Sequence, residues 1–216
     1  MSRHSGKFAM VVACASVFCV STVAATAQSE KSKPTPARTE QAAPPMDPMM
    51  AKYLELAQPG PSHEILKTMV GVWDAKTTFW MAPDTPPTEG TGVMKCSMVL
   101  DGRFVREEFT GAEFMGVPFS GLGYFGFDNF KKKYVSTWMD SMGTGVMVGY
   151  GTYDAATRTF TTLMEADDPM TGGKYVGRHT SKMVDKDHMF AEMHRKMPDG
   201  KEIKEGEIHY TRRAGK

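Results

Sequence analysis

From Gly71 onward apolar and polar positions alternate with a period of two, and just before Gly71 they recur with the period of a helix. Turn residues interrupt the alternating region about every 10 to 14 positions, the rhythm of an antiparallel meander. The pattern predicts ten strands, over 71–81, 89–99, 103–113, 117–127, 132–140, 144–154, 158–166, 172–184, 187–197 and 201–212. Asp101-Gly102, Asp128-Asn129, Asp167-Asp168-Pro169 and Pro198-Asp199-Gly200 supply turn chemistry between them. Every connection is of hairpin length, so sequential neighbours must pair. An open meander would leave two edges exposed, and closure alone removes them. The expected fold class is all-β, a closed antiparallel up-and-down β-barrel of about ten strands. In-strand glycines such as Gly121, Gly123, Gly126, Gly145, Gly149, Gly151 and Gly177 are expected to be its bending points.

Residues 49–70 carry the helical period and are expected to form one or two short helices packing on the barrel of residues 71–212. Met50, Tyr53, Leu54 and Ala57 share a face of the first helix. After the break at Gln58-Pro-Gly-Pro61, Ser62 is expected to cap a second helix that buries Ile65, Leu66 and Met69.

Upstream, the pattern changes twice. Residues 28–48 hold five prolines and no aromatic residue, which predicts a disordered Pro-rich linker. Residues 1–27 combine the cations Arg3 and Lys7, an apolar run from Phe8 to Val20 and a small-residue site at Ala25-Thr-Ala27, the design of a signal peptide cleaved near Ala27. The run is shorter than the roughly 20 residues that span a bilayer, so a membrane anchor is not expected. Val11-Val-Ala-Cys14 loosely resembles a lipoprotein box, but few apolar residues precede it. A soluble protein exported to the periplasm or the cell exterior is the expected product.

Composition then excludes several functions. Lys and Arg number 26 against 25 for Asp and Glu, so no charge imbalance attracts nucleic acid. The runs Lys131-Lys132-Lys133 and Arg212-Arg213 are short and lack interleaved aromatic residues. Of the three cysteines, Cys14 and Cys19 lie in the leader, which leaves Cys96 alone, without a disulfide partner, in an apolar stretch where it is expected to be buried. The many methionines are spread singly through strands, as fillers rather than as a copper site.

No His-Glu-x-x-His pair, no catalytic triad and no nucleophile elbow is present. Gly121-Leu-Gly123-Tyr-Phe-Gly126 spells a dinucleotide fingerprint, but it sits inside a strand instead of opening a helix. In the ninth strand His188, Phe190, Glu192 and His194 share one face and Met189, Ala191, Met193, Arg195 and Met197 the other. With the methionines inward, the histidines are solvated. With the other face inward, His194 and a partner such as His209 could hold haem or a metal.

Gly71-Val-Trp73 opens the first strand directly after a helix, and Arg212 nearly ends the last. That arrangement is similar to lipocalin-like barrels, in which an arginine lies across a plugging tryptophan as a cation–π lid. Pro59-Gly-Pro-Ser-His63, Gly71-x-Trp73, Asp101-Gly-Arg103, Gly116-x-Pro-Phe-x-Gly121, Gly126-Phe-Asp128, Trp138-x-Asp-Ser141, Asp168-Pro-x-Thr-Gly172, Pro198-Asp-Gly-Lys201 and Tyr210-Thr-Arg212 together carry a resemblance to the bacterial family called domain of unknown function 1579. It implies a calycin-like barrel and secretion, and brings no established activity.

A barrel of this size encloses room for one small, mostly apolar ligand. Arg103, Trp138, Asp140 and Tyr150 are the candidate ligand-binding groups, being charged or large aromatic residues among glycine-rich strands. The competing expectations are an enzyme using the same cavity and a filled barrel with a structural or interaction role. Nothing in the residues favours catalysis, and no cofactor is called for.

Overall fold

Residues 46–214, apart from Ala112, Phe114, Met115 and Met170, are described by a computed structural model. The leader read over 1–27 and the linker up to residue 45 lie outside the described residues. The ten strands are β1 (Gly71–Phe79), β2 (Thr88–Val99), β3 (Phe104–Gly111), β4 (Ser120–Asp128), β5 (Lys133–Asp140), β6 (Met147–Asp154), β7 (Thr159–Asp168), β8 (Gly173–Met183), β9 (His188–Lys196) and β10 (Glu202–Arg212). Each pairs antiparallel with its sequence neighbours, and β1 also pairs with β10, from Trp73 opposite Arg212 to Phe79 opposite Gly206. The barrel is therefore closed, with all edges paired.

β4 and β6 each begin three residues later than the alternation predicts. Pro118 cannot donate a ladder bond, and Gly116 has φ of +78°. Before β6, Asp140 accepts the Met142 N–H at 3.0 Å and starts a turn.

Two helices precede the barrel, α1 (Pro48–Ala57) and α2 (Pro61–Leu66), the latter running into a 3-10 turn at Lys67–Met69. Pro48, read as the last linker residue, is the first residue of α1. Asp47 caps it by accepting the Met49 and Met50 N–H groups at 2.7 and 3.3 Å. Ser62 is not the cap of α2, because Pro61 with its fixed φ already occupies the first helical position. The His63 ring closes that end instead, its Nδ1 accepting the Gly60 N–H at 3.0 Å.

α1 buries none of its residues. It is held by its C-terminal carbonyls, with Ala57 accepting from Arg103 Nε at 3.0 Å and Leu56 and Gln58 from Asn129 Nδ2 at 2.8 Å each. α2 does pack on the barrel: Leu66, Met69 and His63 are buried.

The helices and the turns after β2, β4, β6 and β8 mark one end of the barrel, and this half is filled. Trp73, Leu66 and Val105 are fully buried there. Phe125, Tyr134 and Phe160 form an aromatic cluster, with Tyr134 stacked on Phe125 at 5.7 Å and edge-on to Phe160 at 4.9 Å between ring centroids.

Over Trp73 lies the guanidinium of Arg212, 3.9 Å from the ring centroid. Arg212 also donates to the carbonyls of Thr68, Val70 and Lys186, and Trp73 Nε1 donates to Met69 O at 2.9 Å. Gly71 has φ of +145°, and a Cβ there would collide with Arg212 Nη1. The first residue of the Gly-x-Trp motif is thus the space through which the arginine reaches the tryptophan.

Candidate functional site

The opposite half of the barrel is hollow. A cavity of about 590 Å³ runs from Met69, Met94, Phe125 and Tyr210 in the middle of the barrel to Trp80, Met81, Glu113, Phe119 and Met142 at the other end. Its walls follow from strand alternation. Inward positions carry large apolar groups such as Phe79, Phe109, Trp138, Met164 and Met193, and inward glycines sit beside them.

A Cβ on Gly92 would meet Phe109, one on Gly121 would meet Trp138, one on Gly149 would meet Met164, and one on Gly206 would meet Phe79. The large side chains lie flat across neighbouring backbone where no side chain opposes them, and the centre stays open. Of the glycines expected as bending points, Gly121 and Gly149 thus have a more specific role, whereas Gly145 lies before β6, outside the strands. The fingerprint-like string of β4 is explained in the same way, with Gly121 and Gly123 under Trp138 and Gly126 under Phe104.

Among the polar groups that enter the cavity, two sets are enclosed within it. The first is a chain of contacts across β7 to β10. His179 Nε2 lies 3.2 Å from Tyr175 Oη, which donates to Glu205 Oε2 at 3.1 Å. Because the hydroxyl proton is committed to Glu205, the His179 contact requires Nε2 to carry the proton and donate. Glu205 Oε1 pairs with Arg195 Nε at 3.2 Å, and Arg195 Nη2 reaches the buried Asp168 at 3.1 Å. Burial, reinforced by His194, lowers His179 to about 4, so its ring is neutral at physiological pH. Burial also raises Tyr175 and Glu205.

The second is Glu107 on β3, opposite Cys96 on one side and Gly123 on the other. It faces the cavity between Val105 and Phe109, and among the described residues its carboxyl has no hydrogen-bond or ion-pair partner. The barrel wall encloses it, and that burial pushes it up to about 7. Its Oε2 lies 3.2 Å, and Trp138 Cε3 3.0 Å, from the point that a Cβ on Gly123 would occupy, so carboxyl and indole are neighbours over that glycine.

Of the four predicted ligand-binding groups, the structure brings two together at the cavity. Trp138 and Asp140 both line it, and Trp138 Nε1 donates to Asp140 Oδ2 at 3.0 Å. The other two lie elsewhere. Arg103 is spent on the carbonyls of Ala57 and Leu100, joining α1 to the β2–β3 turn. Tyr150 points outward from β6 and accepts from Lys131 Nζ at 2.6 Å. A small strand residue beside it leaves room for outward packing as readily as inward.

On β9 the methionine face is the inner one, since Met189, Ala191, Met193 and Arg195 line the cavity. His194 and His209 do not meet, because the strand register sets His194 opposite Lys204 and His209 opposite Phe190. No group of three or more His, Cys, Asp or Glu suited to a metal occurs among the described residues. Cys96 is buried and free, and burial raises its thiol far above the ordinary range.

Polar residues of the cavity that the sequence did not point to as ligand-binding groups include Glu107, Tyr175, His179, Arg195 and Glu205. The first four had a signal, a polar group on the apolar face of an alternating strand, as in Val105-x-Glu107-x-Phe109. Glu205 had none. It is the extra residue of a β-bulge between Lys204 and Gly206, which breaks the alternation.

A sequence profile of the family described as "Protein of unknown function (DUF1579)" matches residues 58–212. No curated protein matches the chain. Among solved structures, the fold is similar to that of Rv2717c from M. tuberculosis, with a TM-score of 0.56 at 14% identity over 73% of this chain and 100% of that one. Two others are more distant. A redesigned β-barrel has a TM-score of 0.38 at 13% identity over 69% of this chain and 96% of its own. A Nostoc punctiforme protein of the DUF3598 family has a TM-score of 0.23 at 6% identity over 72% and 100%.

Proposed function

Starting from a chain that belongs to the DUF1579 family of proteins of unknown function, we propose that the barrel is a binding protein for one small, mostly apolar molecule. The observation that carries this reading is the cavity itself. Its roughly 590 Å³ falls in the usual range for small-molecule sites, and its lining is apolar with a few converging polar groups. A barrel with a purely structural role would gain stability by filling that space with side chains.

The leader supports export, so the ligand would be met in the periplasm or outside the cell. Among the described residues no helix is long and apolar enough to cross a membrane.

An enzyme using the same cavity is the second reading, and the chain from His179 through Tyr175 to Glu205 is the one observation in its favour. An imidazole beside a phenol has the groups of an acid–base pair, but burial moves both away from neutrality, His179 down to about 4 and Tyr175 up. Against it, Tyr175 and Glu205 are already engaged, the first with Glu205 and the second with Arg195.

The test is native mass spectrometry of the protein purified from its own host. A retained adduct of a few hundred daltons, released by organic solvent, is the expected result. Protein free of adduct that also fails to take up an apolar fluorescent dye would overturn the proposal.

A further inference from the structure

The cavity is short of positive charge. Six carboxyls lie in or against it, those of Glu107, Glu113, Asp140, Glu192 and Glu205 on its lining and that of Asp168 behind Arg195, and Arg195 is the one cation among the described lining residues. Arg195 is already held between Asp168 and Glu205. His179 is kept neutral by burial. Asp140 is engaged by the Trp138 N–H and the Met142 N–H, Glu192 pairs with Lys204, and Glu113 is exposed, which leaves Glu107 as the enclosed carboxyl without a partner among the described residues.

A carboxyl enclosed in an apolar wall without a hydrogen bond costs folding free energy. A methionine or leucine, matching its neighbours Val105 and Phe109, would remove that cost. What Glu107 does have is an aromatic ring beside it. Glu107 Oε2 and the Trp138 ring close over Gly123 from two sides, and both line the cavity. The indole N–H donates to Asp140, which pushes electron density toward the ring face and strengthens its attraction for positive charge. A carboxylate and a tryptophan ring side by side on an apolar wall form a receptor for an organic cation.

We propose that the ligand is an amphiphilic organic cation, with its nitrogen head in the cavity against Glu107 and the Trp138 ring and its apolar body among the methionines and phenylalanines of the lining. This rests on the reading of the cavity as a ligand site and assigns its chemistry. The titration of Glu107 near neutrality fits the same role, because an arriving cation would draw the proton off the carboxyl. Cys96 and Tyr210, the titratable groups that face it from β2 and β10, are both raised by burial and stay neutral.

Three decyl probes differing only in the head decide the matter: decyltrimethylammonium, decanol and decanoate, titrated calorimetrically into the full-length mature protein at pH 8. The cation should bind roughly tenfold or more tighter than either other probe, the scale of one charge-assisted contact. Glu107→Gln should abolish that advantage and leave decanol within about twofold. Trp138→Leu should weaken the cation more than the alcohol, which serves as a second variant independent of the carboxyl.

Equal binding of cation and alcohol, or an unchanged cation affinity in Glu107→Gln, overturns the head-group assignment while leaving the apolar-ligand reading intact. Preference for decanoate overturns it in favour of Arg195 as the anchor. Failure of all three probes removes both readings.

Discussion

Arg212 and Trp73, 139 positions apart in sequence, are paired across the seam of the barrel, with the guanidinium 3.9 Å from the centroid of the indole ring. In an open meander these two residues would sit on opposite edges. Their contact exists because β1 and β10 are hydrogen-bonded, and it joins that seam to the 3-10 turn beneath it.

Arg212→Ala and Trp73→Phe should each destabilise the protein. In a double-mutant cycle their coupling should be at least about 0.5 kcal/mol, as expected for a half-buried cation–π pair. Denaturant melts of the four proteins measure it, and additive losses would mean that the contact contributes nothing. Trp73→Ala, which empties a fully buried site, should cost about 3 to 5 kcal/mol.

Glu107 makes stability fall as pH rises. Its carboxyl has an ordinary value of 4.5 and is pushed up to about 7 by burial. Between those values the unfolded chain has lost the proton and the folded chain still holds it, so raising the pH favours unfolding. Glu107→Gln should therefore be more stable than the wild type at pH 8, by on the order of 2 to 3 kcal/mol, and equal to it near pH 4. An unchanged difference between the two pH values would show the carboxyl to be solvated.

His179 acts in the opposite sense. Its ordinary value of 6.5 is lowered to about 4. As pH falls through that interval the unfolded chain takes up a proton that the folded chain refuses, and stability is lost. His179→Gln keeps a donor for Tyr175 and removes the titration. Its melting temperature should drop less than that of the wild type between pH 7 and 4.5, and parallel curves would refute the assignment.

The fold was largely legible because alternation and turn residues are local signals, and hairpin-length connections leave little choice of topology. The cavity was legible only in part. Trp138 and Asp140 stood out as unusual residues, and strand parity would have singled out Glu107 without saying whether its face was inward. Arg103 and Tyr150 misled because a charge or a ring near glycines can serve a helix carbonyl or a lysine on the outer surface just as well. Glu205 could not be read at all, since a bulge changes which face a side chain occupies without leaving a mark in the residues around it.

Export makes a further prediction, independent of the barrel. Protein recovered from the host's envelope fraction should begin at Gln28 on N-terminal sequencing, as cleavage after Ala27 requires. A lipid-modified start at Cys14 would make it a lipoprotein instead.

The glycines beneath the cavity's rings also limit how this chamber can evolve. A wall made by leaving out side chains can change in one direction only. Any residue that replaces Gly92, Gly121, Gly149 or Gly206 drives a ring or a thioether toward the centre, and none of those positions can become smaller. For this backbone and this set of rings the chamber already stands at its upper limit. Point substitutions at these positions can retune it toward slimmer molecules, whereas a bulkier one demands loss of a ring or a new strand register.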